Sequence, residues 1–489
     1  MKAIILAAGK GTRLLPMTLN KPKPLLEIRG KSILENMIGF LKAANIEDIV
    51  VVTGYKSEHF NALQKKLGFK KILLRDYENK NSAASLKCAI DELESGSLIL
   101  NGDLYITHSF SSYLKNGISQ ILAQNITQNI PSWGYITDEN NKILDIDTYA
   151  TSGFGDGIAF LDNTKDIEIF KNALLECDDN EYWESCILKA IKKMDFYAFN
   201  CPRFYTEIDS FYDALSNHLL TPEEIAIQCS DNGEIERLGG ITNINYKIRF
   251  LNQNKVIRIP GINTEQTINR KNEKQILELL DSTNIAPQSE FYQSGIKTTS
   301  FLEEYKCLES SDLAHKNILP LLVEKLKILH SFKLADYPQF SPILLLDEIK
   351  KYENLAKISL TTKKEHKFVL DIARKIDTNY PFVLCHRDLQ LPNILFNGRD
   401  LQLIDFEYAG FSSIIWELGN LSAELELNMA QIKELTILYG GIDLQEVLEG
   451  ELISNYIWAL WGWIYERIDL GRSYLGRFSN NLLQLKGCV

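Results

Sequence analysis

The chain is poor in the features that mark secreted, membrane-spanning and nucleic-acid-binding proteins. Its eight cysteines, Cys88, Cys177, Cys186, Cys201, Cys229, Cys307, Cys385 and Cys488, include no CxxC pair. That excludes a compact zinc-ligand spacing and points to free thiols rather than a disulfide framework. No run of 18 apolar residues occurs, and the apolar stretch after Lys2 is stopped by Gly9-Lys10-Gly11 after six residues. This is too short for a secretion signal or a membrane span, so a soluble, cytoplasmic chain is expected. Positive charge is also in deficit, with 53 Lys and Arg against 64 Asp and Glu and a net charge of -11. Such a balance is a poor basis for holding many phosphates, and no nucleic-acid partner is expected. With Pro at 13 and Gly at 28, collagen-like and proline-rich designs are excluded as well. What the chain does have is length and core material: 489 residues, 45% hydrophobic and 24% charged, enough for two large domains or three ordinary ones.

Apolar patterning divides the sequence in two. Lys2-Ala-Ile-Ile-Leu-Ala-Ala8 and Asp48-Ile-Val-Val-Val-Thr53 are strand-length apolar runs, separated by a glycine-rich loop and a helical pattern over about 32–44. Further units follow: a helix near 58–67, a strand at 71–74, a helix over 82–93, and a strand at 97–100 that stops at Asn101-Gly102-Asp103. Buried strands alternating with periodic helices predict an α/β, doubly wound, Rossmann-like domain on a mostly parallel sheet. Later strands are expected at 132–137 and 157–161. Open α/β sheets bind ligands beyond the carboxyl ends of their strands, so the loop at 9–13 and Asp103 are expected to share one crevice. Polarity rises between Thr221 and Gly233, and a second pattern begins at Glu236. It has strand-like runs at 245–250 and 255–259, amphipathic helices dominating over about 265–378, a strand-loop-strand stretch at 382–406 and a long helical tail. The expected domains are residues 1–228 and 229–489, and a cut near 228 leaves a complete signature set on each side.

The densest signal is Leu6-Ala-Ala8-Gly9-Lys10-Gly11-Thr12-Arg13-Leu14, then Pro16 and Lys21-Pro22-Lys23-Pro24-Leu25. Glycines directly after a strand let backbone N–H groups approach phosphates or a base, and Arg13 and Lys23 can neutralise a triphosphate. Ala8, Gly9, Gly11 and Thr12 are the expected nucleotide contacts. The loop is not a Walker A motif, because Gly11 follows Lys10 where Ser or Thr is required, and it lacks the third glycine of the dinucleotide pattern. Asp103 stands where a strand stops, a position a capping residue also takes. Beside a triphosphate site it is read as a Mg²⁺ ligand. A second carboxylate is wanted for the ion; Asp156 and Asp209 are the candidates, and Asp209 in Tyr205-Thr-Glu-Ile-Asp209 is preferred.

Gly9-Lys-Gly-Thr-Arg-Leu-Leu-Pro-Met-Thr18 with Pro22-Lys-Pro-Leu25 resembles the GxGTRLxPxT and PKPL signature of nucleotidyltransferases, which join a nucleoside monophosphate from an NTP to a phosphorylated acceptor. Within that superfamily the segment 1–228 is most similar to the small bacterial phosphocholine cytidylyltransferases. The resemblance implies Lys23 as the triphosphate lysine and Asp103 and Asp209 as Mg²⁺ ligands. For the acceptor, Trp133 with Tyr135 and Tyr182 with Trp183 can offer aromatic faces to a quaternary ammonium, with Glu184 and Asp156 as anionic walls. Core packing accounts equally well for any one of these aromatics. Asn79, Asn81 and Ser82 follow a strand and can either reach the base or cap a helix.

In the second half, Cys385-His386-Arg387-Asp388-Leu-Gln-Leu-Pro-Asn393 is followed by Leu403-Ile-Asp405-Phe406-Glu407. Phosphoryl transfer needs a carboxylate to orient the attacking hydroxyl, here Asp388, and an amide and a carboxylate to hold Mg²⁺, here Asn393 and Asp405. His386 is read as bracing the loop. Upstream, Leu238-Gly239-Gly240-Ile-Thr242-Asn243 is expected to be the hairpin over the ATP phosphates. Arg258 supplies a cation on the next strand, and Glu273 on a following helix can pair with it. Residues 234–489 resemble the choline/ethanolamine kinase branch of the two-lobed protein-kinase-like fold, although Arg258 stands where most protein kinases have Lys. Trp458, Trp461 and Tyr465 are spaced three and four apart on a helical pattern and share one face, while Trp463 points elsewhere. The resemblance implies that such aromatics box a trimethylammonium group, with Glu407 or another acid near the metal loop adding charge attraction.

Together the halves imply one chemical sequence: choline and ATP give phosphocholine, and phosphocholine and CTP give CDP-choline, with a separate Mg²⁺ site for each step. The rivals are the same steps on ethanolamine, or a sugar kinase joined to a sugar-1-phosphate nucleotidyltransferase.

Overall fold

The computed structural model describes residues 1–125, 132–201, 204–240, 243–261 and 266–487, without the side chains of Ser132, Asp156 and Gly487. By packing, the chain divides into two compact units, Met1–Ile259 with Tyr292–Lys297, and Pro260–Phe291 with Thr298–Val489. The segment 229–259, which the sequence pattern assigns to the second domain, packs with the first unit.

In the first unit Lys2–Ala7 is the centre of a nine-stranded sheet. It lies parallel to Asp48–Thr53 on one side and to Ser97–Asn101 on the other, and Lys70–Leu73 continues the parallel part. Beyond Ser97–Asn101 the sheet becomes mixed, because Phe154–Leu161 runs antiparallel to it and carries Gln120–Asn125, Ser132–Thr137 and Ile143–Ala150. Successive side chains of a strand point to opposite faces, and both faces here are apolar. Ala3, Ile5, Ala7, Ile49 and Val51 enter one core, whereas Ile4, Leu6, Ala8, Val50 and Val52 enter another. Helix Ile33–Ala43 covers the first face; its amino end is capped by Ser32 Oγ, which accepts from the Glu35 N–H at 3.1 Å. Helices Ser82–Cys88, Thr164–Leu175 and Ser185–Ala190 cover the second. The helix expected over 82–93 ends early, since Ala89 leaves the α-helical path and Ile90–Glu92 tightens into a 3₁₀ turn.

Past residue 228, Ile235–Arg237 pairs antiparallel with Asn243–Phe250, which is followed by Gln253–Pro260. Tyr246, Ile248, Phe250, Ile257 and Ile259 from these strands join the core that contains Leu14 and Met17 of the glycine-rich loop.

The second unit contains helix Arg270–Leu280 and, where helices are expected to dominate, the short strands Ser289–Phe291, Lys297–Ser300 and Lys306–Cys307 complete or border it. Sequences such as Lys-Thr-Thr-Ser are too short and polar to stand out from the helical pattern around them. Helices Ile318–Leu329, Leu345–Ala356 and Lys363–Asn379 follow. Strand Phe382–Cys385 pairs with Gly410–Ser413, and Ile394–Phe396 with Leu401–Leu403, framing the loop that carries Asp388. Of the last four helices, Ile414–Glu424, Met429–Tyr439, Leu444–Ile464 and Ile468–Gly487, the third is buried nearly all round from Val447 to Gly462. A helix without a polar face belongs at the centre of its bundle. Among the described residues no helix is long and apolar enough to cross a membrane.

Candidate active sites

Lys23 is the hub of the first site. Its Nζ donates to Asp103 Oδ2 at 2.8 Å and to Asp209 Oδ1 at 3.1 Å, and Arg13 Nη1 reaches Asp209 Oδ2 at 2.7 Å. Burial pulls the Lys23 ammonium down, but the charges of Asp103 and Asp209 outweigh it and hold the group above its ordinary value, so it stays charged. The sequence gap between the two aspartates is closed by a strand pair: Leu104–Ile106 runs antiparallel to Tyr205–Glu207, and the Ile208 N–H donates to the Asp103 carbonyl at 3.1 Å. The same pairing delivers a third carboxylate. One oxygen each of Asp103, Glu207 and Asp209 lies within 4.8 Å of the others. This all-oxygen donor set is of the kind Mg²⁺ takes. Glu207 was missed in the sequence, where the alternation through Tyr205-Thr-Glu-Ile-Asp209 already places 207 and 209 on one side of an extended segment.

Two glycines make the approach possible. Gly11 has φ +64°, and a Cβ there would meet the Lys23 Cβ at 3.0 Å. A Cβ on Gly102 would sit 2.6 Å from the Leu6 carbonyl, so only glycine lets the chain turn toward Asp103 this close to the central strand. Ala8 is buried at the end of that strand, while Gly9, Thr12 and Arg13 are exposed on the loop.

Asn81 Oδ1 accepts from the Ser82 N–H at 2.9 Å, and Ser82 Oγ accepts from the Trp183 N–H at 2.9 Å. Trp183 is completely buried and donates its indole N–H to Asn101 Oδ1 at 3.0 Å; Asn101 in turn donates to Glu184 Oε1 at 3.2 Å. These bonds tie the segment 182–184 to the strand that leads to Asp103. Asn79 lies in the short turn Tyr77–Asn79. Trp133 and Tyr182 meet edge-on at 5.3 Å with Tyr182 49% exposed, so these two present aromatic surface, whereas Tyr135 is buried. The side chain of Asp156 lies outside the described residues.

Of the residues assigned to ATP, Gly239, Gly240, Asn243 and Arg258 belong to the first unit. Gly239 and Gly240 turn the chain between Ile235–Arg237 and Asn243–Phe250, and Asn245 Nδ2 donates to the Gly239 carbonyl at 2.9 Å. Asn243 and Arg258 are buried in their strands. Thr242 lies outside the described residues. Glu273, in the second unit, is fully buried on Arg270–Leu280 and receives Arg270 Nη1 at 3.5 Å.

In the second unit the loop after Phe382–Cys385 is anchored by Glu417, whose two oxygens accept the N–H groups of His386 at 2.7 Å and Arg387 at 3.0 Å. Burial pushes the Glu417 carboxyl up to about 7. His386 Nε2 lies 2.9 Å from the Ile404 carbonyl, bridging the loop to the strand before Asp405. Arg387, buried with φ +71°, donates to Ser412 Oγ at 2.7 Å and to Glu348 at 2.5 Å. Asp388 accepts from Asn393 Nδ2 at 2.9 Å and from Gln390 Nε2 at 2.8 Å. Burial raises its proton affinity well above the ordinary carboxylate range, and Glu424 and Asp405 add to the effect. With the Asn393 amide nitrogen committed to Asp388, its carbonyl oxygen and the Asp405 carboxylate are oxygen donors of the type Mg²⁺ prefers.

A buried cluster of aromatic side chains accompanies this loop. Trp458 and Trp461 meet at 6.0 Å, Tyr408 stands edge-on to Trp458 at 5.3 Å, and Trp461 Nε1 donates to the Tyr408 hydroxyl at 2.7 Å. Tyr465 caps the helix rather than continuing it and lies 4.9 Å from Trp461. Trp463 points away and packs on Gly471. Tyr474 reaches Trp458 at 6.5 Å and donates its hydroxyl to both oxygens of Glu424 at 3.0 Å. Burial pushes the Glu424 carboxyl up to about 7. The acid beside these aromatics is therefore Glu424, which no spacing or motif singles out. Glu407, the expected one, is buried with Arg270 Nη1 on its Oε2 at 2.9 Å.

A lysine-carboxylate cluster behind a glycine loop on a Rossmann-like sheet, and an Asp-Asn-Asp loop elsewhere in the chain, define an enzyme with two catalytic domains, a nucleotidyltransferase and a small-molecule kinase. Known proteins bear out this class. Residues 2–145 match the Nucleotidyl transferase family and residues 235–435 the Choline/ethanolamine kinase family. The chain is 31% identical over 207 residues to the choline-phosphate cytidylyltransferase of Streptococcus pneumoniae, covering 40% of this chain and 87% of that protein. It is 32% identical over 211 residues to the enzyme of the same name from Haemophilus influenzae, again covering 40% and 87%. Among solved structures, the choline kinase of Streptococcus pneumoniae aligns at 24% identity over 51% of this chain and 93% of that one, with a TM-score of 0.44. The chain belongs to the nucleotidyl transferase family through its first half and carries a choline/ethanolamine-kinase-like domain in its second.

Proposed function

We propose that the chain phosphorylates choline with ATP through residues 229–489 and joins the phosphocholine to CTP through residues 1–228, giving CDP-choline and pyrophosphate, in the cytoplasm. The observation that carries the choice of choline is the clustering of Tyr408, Trp458, Trp461, Tyr465 and Tyr474 beside Glu424. Aromatic faces and one carboxylate suit a cation clothed in methyl groups, and offer little to a sugar, whose hydroxyls call for several polar partners. In the kinase step Asp388 accepts the hydroxyl proton as the choline oxygen attacks the γ-phosphorus and ADP leaves. Gly239, Gly240, Thr242, Asn243 and Arg258 are assigned to the ATP phosphates, and Glu273 to the support of Arg258.

In the transfer step a phosphate oxygen of phosphocholine attacks the α-phosphorus of CTP and pyrophosphate departs. Lys23 and Arg13 offset the charge of the triphosphate, and Asp103, Glu207 and Asp209 can hold Mg²⁺. Bound Mg²⁺ at each site supplies charge neutralisation on the phosphates. Trp133 and Tyr182 face the choline methyl groups, with Trp183, Tyr135 and Glu184 behind or beside them; Asp156 is assigned to the same acceptor, and Ala8, Gly9, Gly11, Thr12, Asn81 and Ser82 to the nucleotide.

The test supplies choline, ethanolamine or hexoses with ATP, CTP and Mg²⁺ and identifies every phosphorus-containing product by NMR. CDP-choline as the dominant product is expected; a nucleotide sugar, or a preference for ethanolamine, overturns the assignment.

A further inference from the structure

The glycine-rich loop of the first site is braced from within by its own domain. Thr18 Oγ1 donates to the Gly11 carbonyl at 2.9 Å, and the Tyr55 hydroxyl lies 3.0 Å from the carbonyls of both Thr18 and Leu19. A further brace comes from far along the chain. The tight turn Tyr292–Ile296 is closed by the Tyr292 N–H on the Ile296 carbonyl at 3.0 Å and the Gly295 N–H on the Tyr292 carbonyl at 2.9 Å. At its tip Ser294, 6% exposed, donates its hydroxyl to the Leu15 carbonyl at 2.5 Å. Tyr292 and Ile296 on either side enter the same core as Leu14 and Met17. In sequence this turn lies within the stretch that matches the kinase family, yet in space it packs with the first unit.

We infer that Ser294 is a positioning residue for the nucleotidyl transfer reaction: the turn 292–296 fixes the loop 11–19 in the form that receives the nucleotide. The inference rests on the reading of that loop as the CTP site. Between Arg13 and Lys23 the chain makes two short 3₁₀ turns, Thr12–Leu14 and Met17–Leu19, and Leu15 is the link between them. Isolated 3₁₀ turns of this length have little stability of their own, so a bond at the link governs where Arg13 and the loop N–H groups lie.

The full chain with Ser294→Ala is compared with wild type. The expected result is a KM for CTP raised roughly three- to tenfold, the worth of one buried hydrogen bond, with the KM for phosphocholine and the kinase turnover unchanged. Hydrogen exchange should quicken at the Leu14, Leu15 and Leu19 amides, whose bonds to Gly11, Thr12 and Pro16 form the two turns. Ser294→Cys, close in size with a weaker donor, should fall between; it also serves if the alanine variant folds poorly. Unchanged CTP affinity together with unchanged exchange overturns the inference, as does a parallel fall of both activities with the melting midpoint. A wild-type chain that transfers no nucleotide at all would overturn the functional reading instead, and the exchange measurement would still judge the brace.

Discussion

The two sites hold their acids in opposite ways. In the first, Asp103 and Asp209 are partly exposed and already paired with Lys23 and Arg13. In the second, Asp388 is buried and held by two amides, while Glu424 and Asp405 add negative charge around it. A site for a triphosphate must bring cations to the ligand, and the first has them in place. A base that takes a proton from a hydroxyl works better when its affinity for that proton is raised, which burial in the second unit accomplishes. On the proposed reading, charge balance separates the nucleotide-transfer site from the phosphate-transfer site on one chain.

This contrast can be broken by experiment. The largest effect is expected for Asp388→Asn, which keeps the shape of the loop but removes the proposed base: ADP formation from choline should fall by about 10²–10⁴ while phosphocholine is still converted with CTP. Next comes Asp103→Ala, which strips the first site of a carboxylate proposed to hold Mg²⁺ and of a partner of Lys23. Fed choline, ATP and CTP, it should accumulate phosphocholine, with CDP-choline formation reduced about 10²–10³ because several kcal/mol of charge stabilisation goes with the ion. Loss of phosphocholine formation in Asp103→Ala, or of the conversion of supplied phosphocholine in Asp388→Asn, would show that the sites do not act independently.

A smaller effect sharpens the account of the aromatic cluster. Glu424, its carboxyl pushed up to about 7 by burial, is protonated and neutral below that pH and charged above it. The KM for choline should therefore fall as pH rises through about 7. In Glu424→Gln the KM should be roughly tenfold higher and independent of pH across that range. The smallest effect concerns stability. Burial lowers His330, whose Nδ1 is 2.8 Å from the Tyr439 hydroxyl, to about 3 from 6.5. The unfolded chain takes up a proton that the folded chain refuses. The contribution of His330 is thus fully present above pH 6.5 and is lost as pH falls toward 3, with a slope of up to about 1.4 kcal/mol per pH unit. Glu417 and Glu424 act in the reverse sense, their contributions being lost as pH rises from 4.5 through about 7. The effect of His330 is accordingly read as the difference between wild type and His330→Gln in urea unfolding across pH 5–6.5.

How much of this was legible in the sequence follows from which interactions are local. The loop 9–25, Asp103 at a strand end and the Asp388-Asn393-Asp405 set are contiguous patterns with a chemical meaning. Their elements lie close to where the alternation of apolar runs places them. Glu207 was visible only to a reader who carried the alternation of Tyr205–Glu207 one step further. Glu417 and Glu424 were not legible, because on a helix of mostly apolar residues nothing in the spacing says which acid turns toward a buried N–H pair or a tyrosine. The short strands at 289–300 escaped for a related reason: they are polar, and their pairing partners are supplied by tertiary structure.

The turn at 292–296 bears on the order in which the molecule is made. Because the first unit takes its last piece from Tyr292–Lys297, after helix Arg270–Leu280 of the second has been synthesised, the chain passes from one unit to the other three times. A ribosome that has delivered residue 228 has delivered the glycine-rich loop, Lys23, Asp103 and Asp209 but not yet the clasp on Leu15, and no single cut of the polypeptide frees one unit whole. The two packing units are thus interleaved along the chain, whereas the stretch that matches the kinase family begins at residue 235, just past the polar seam.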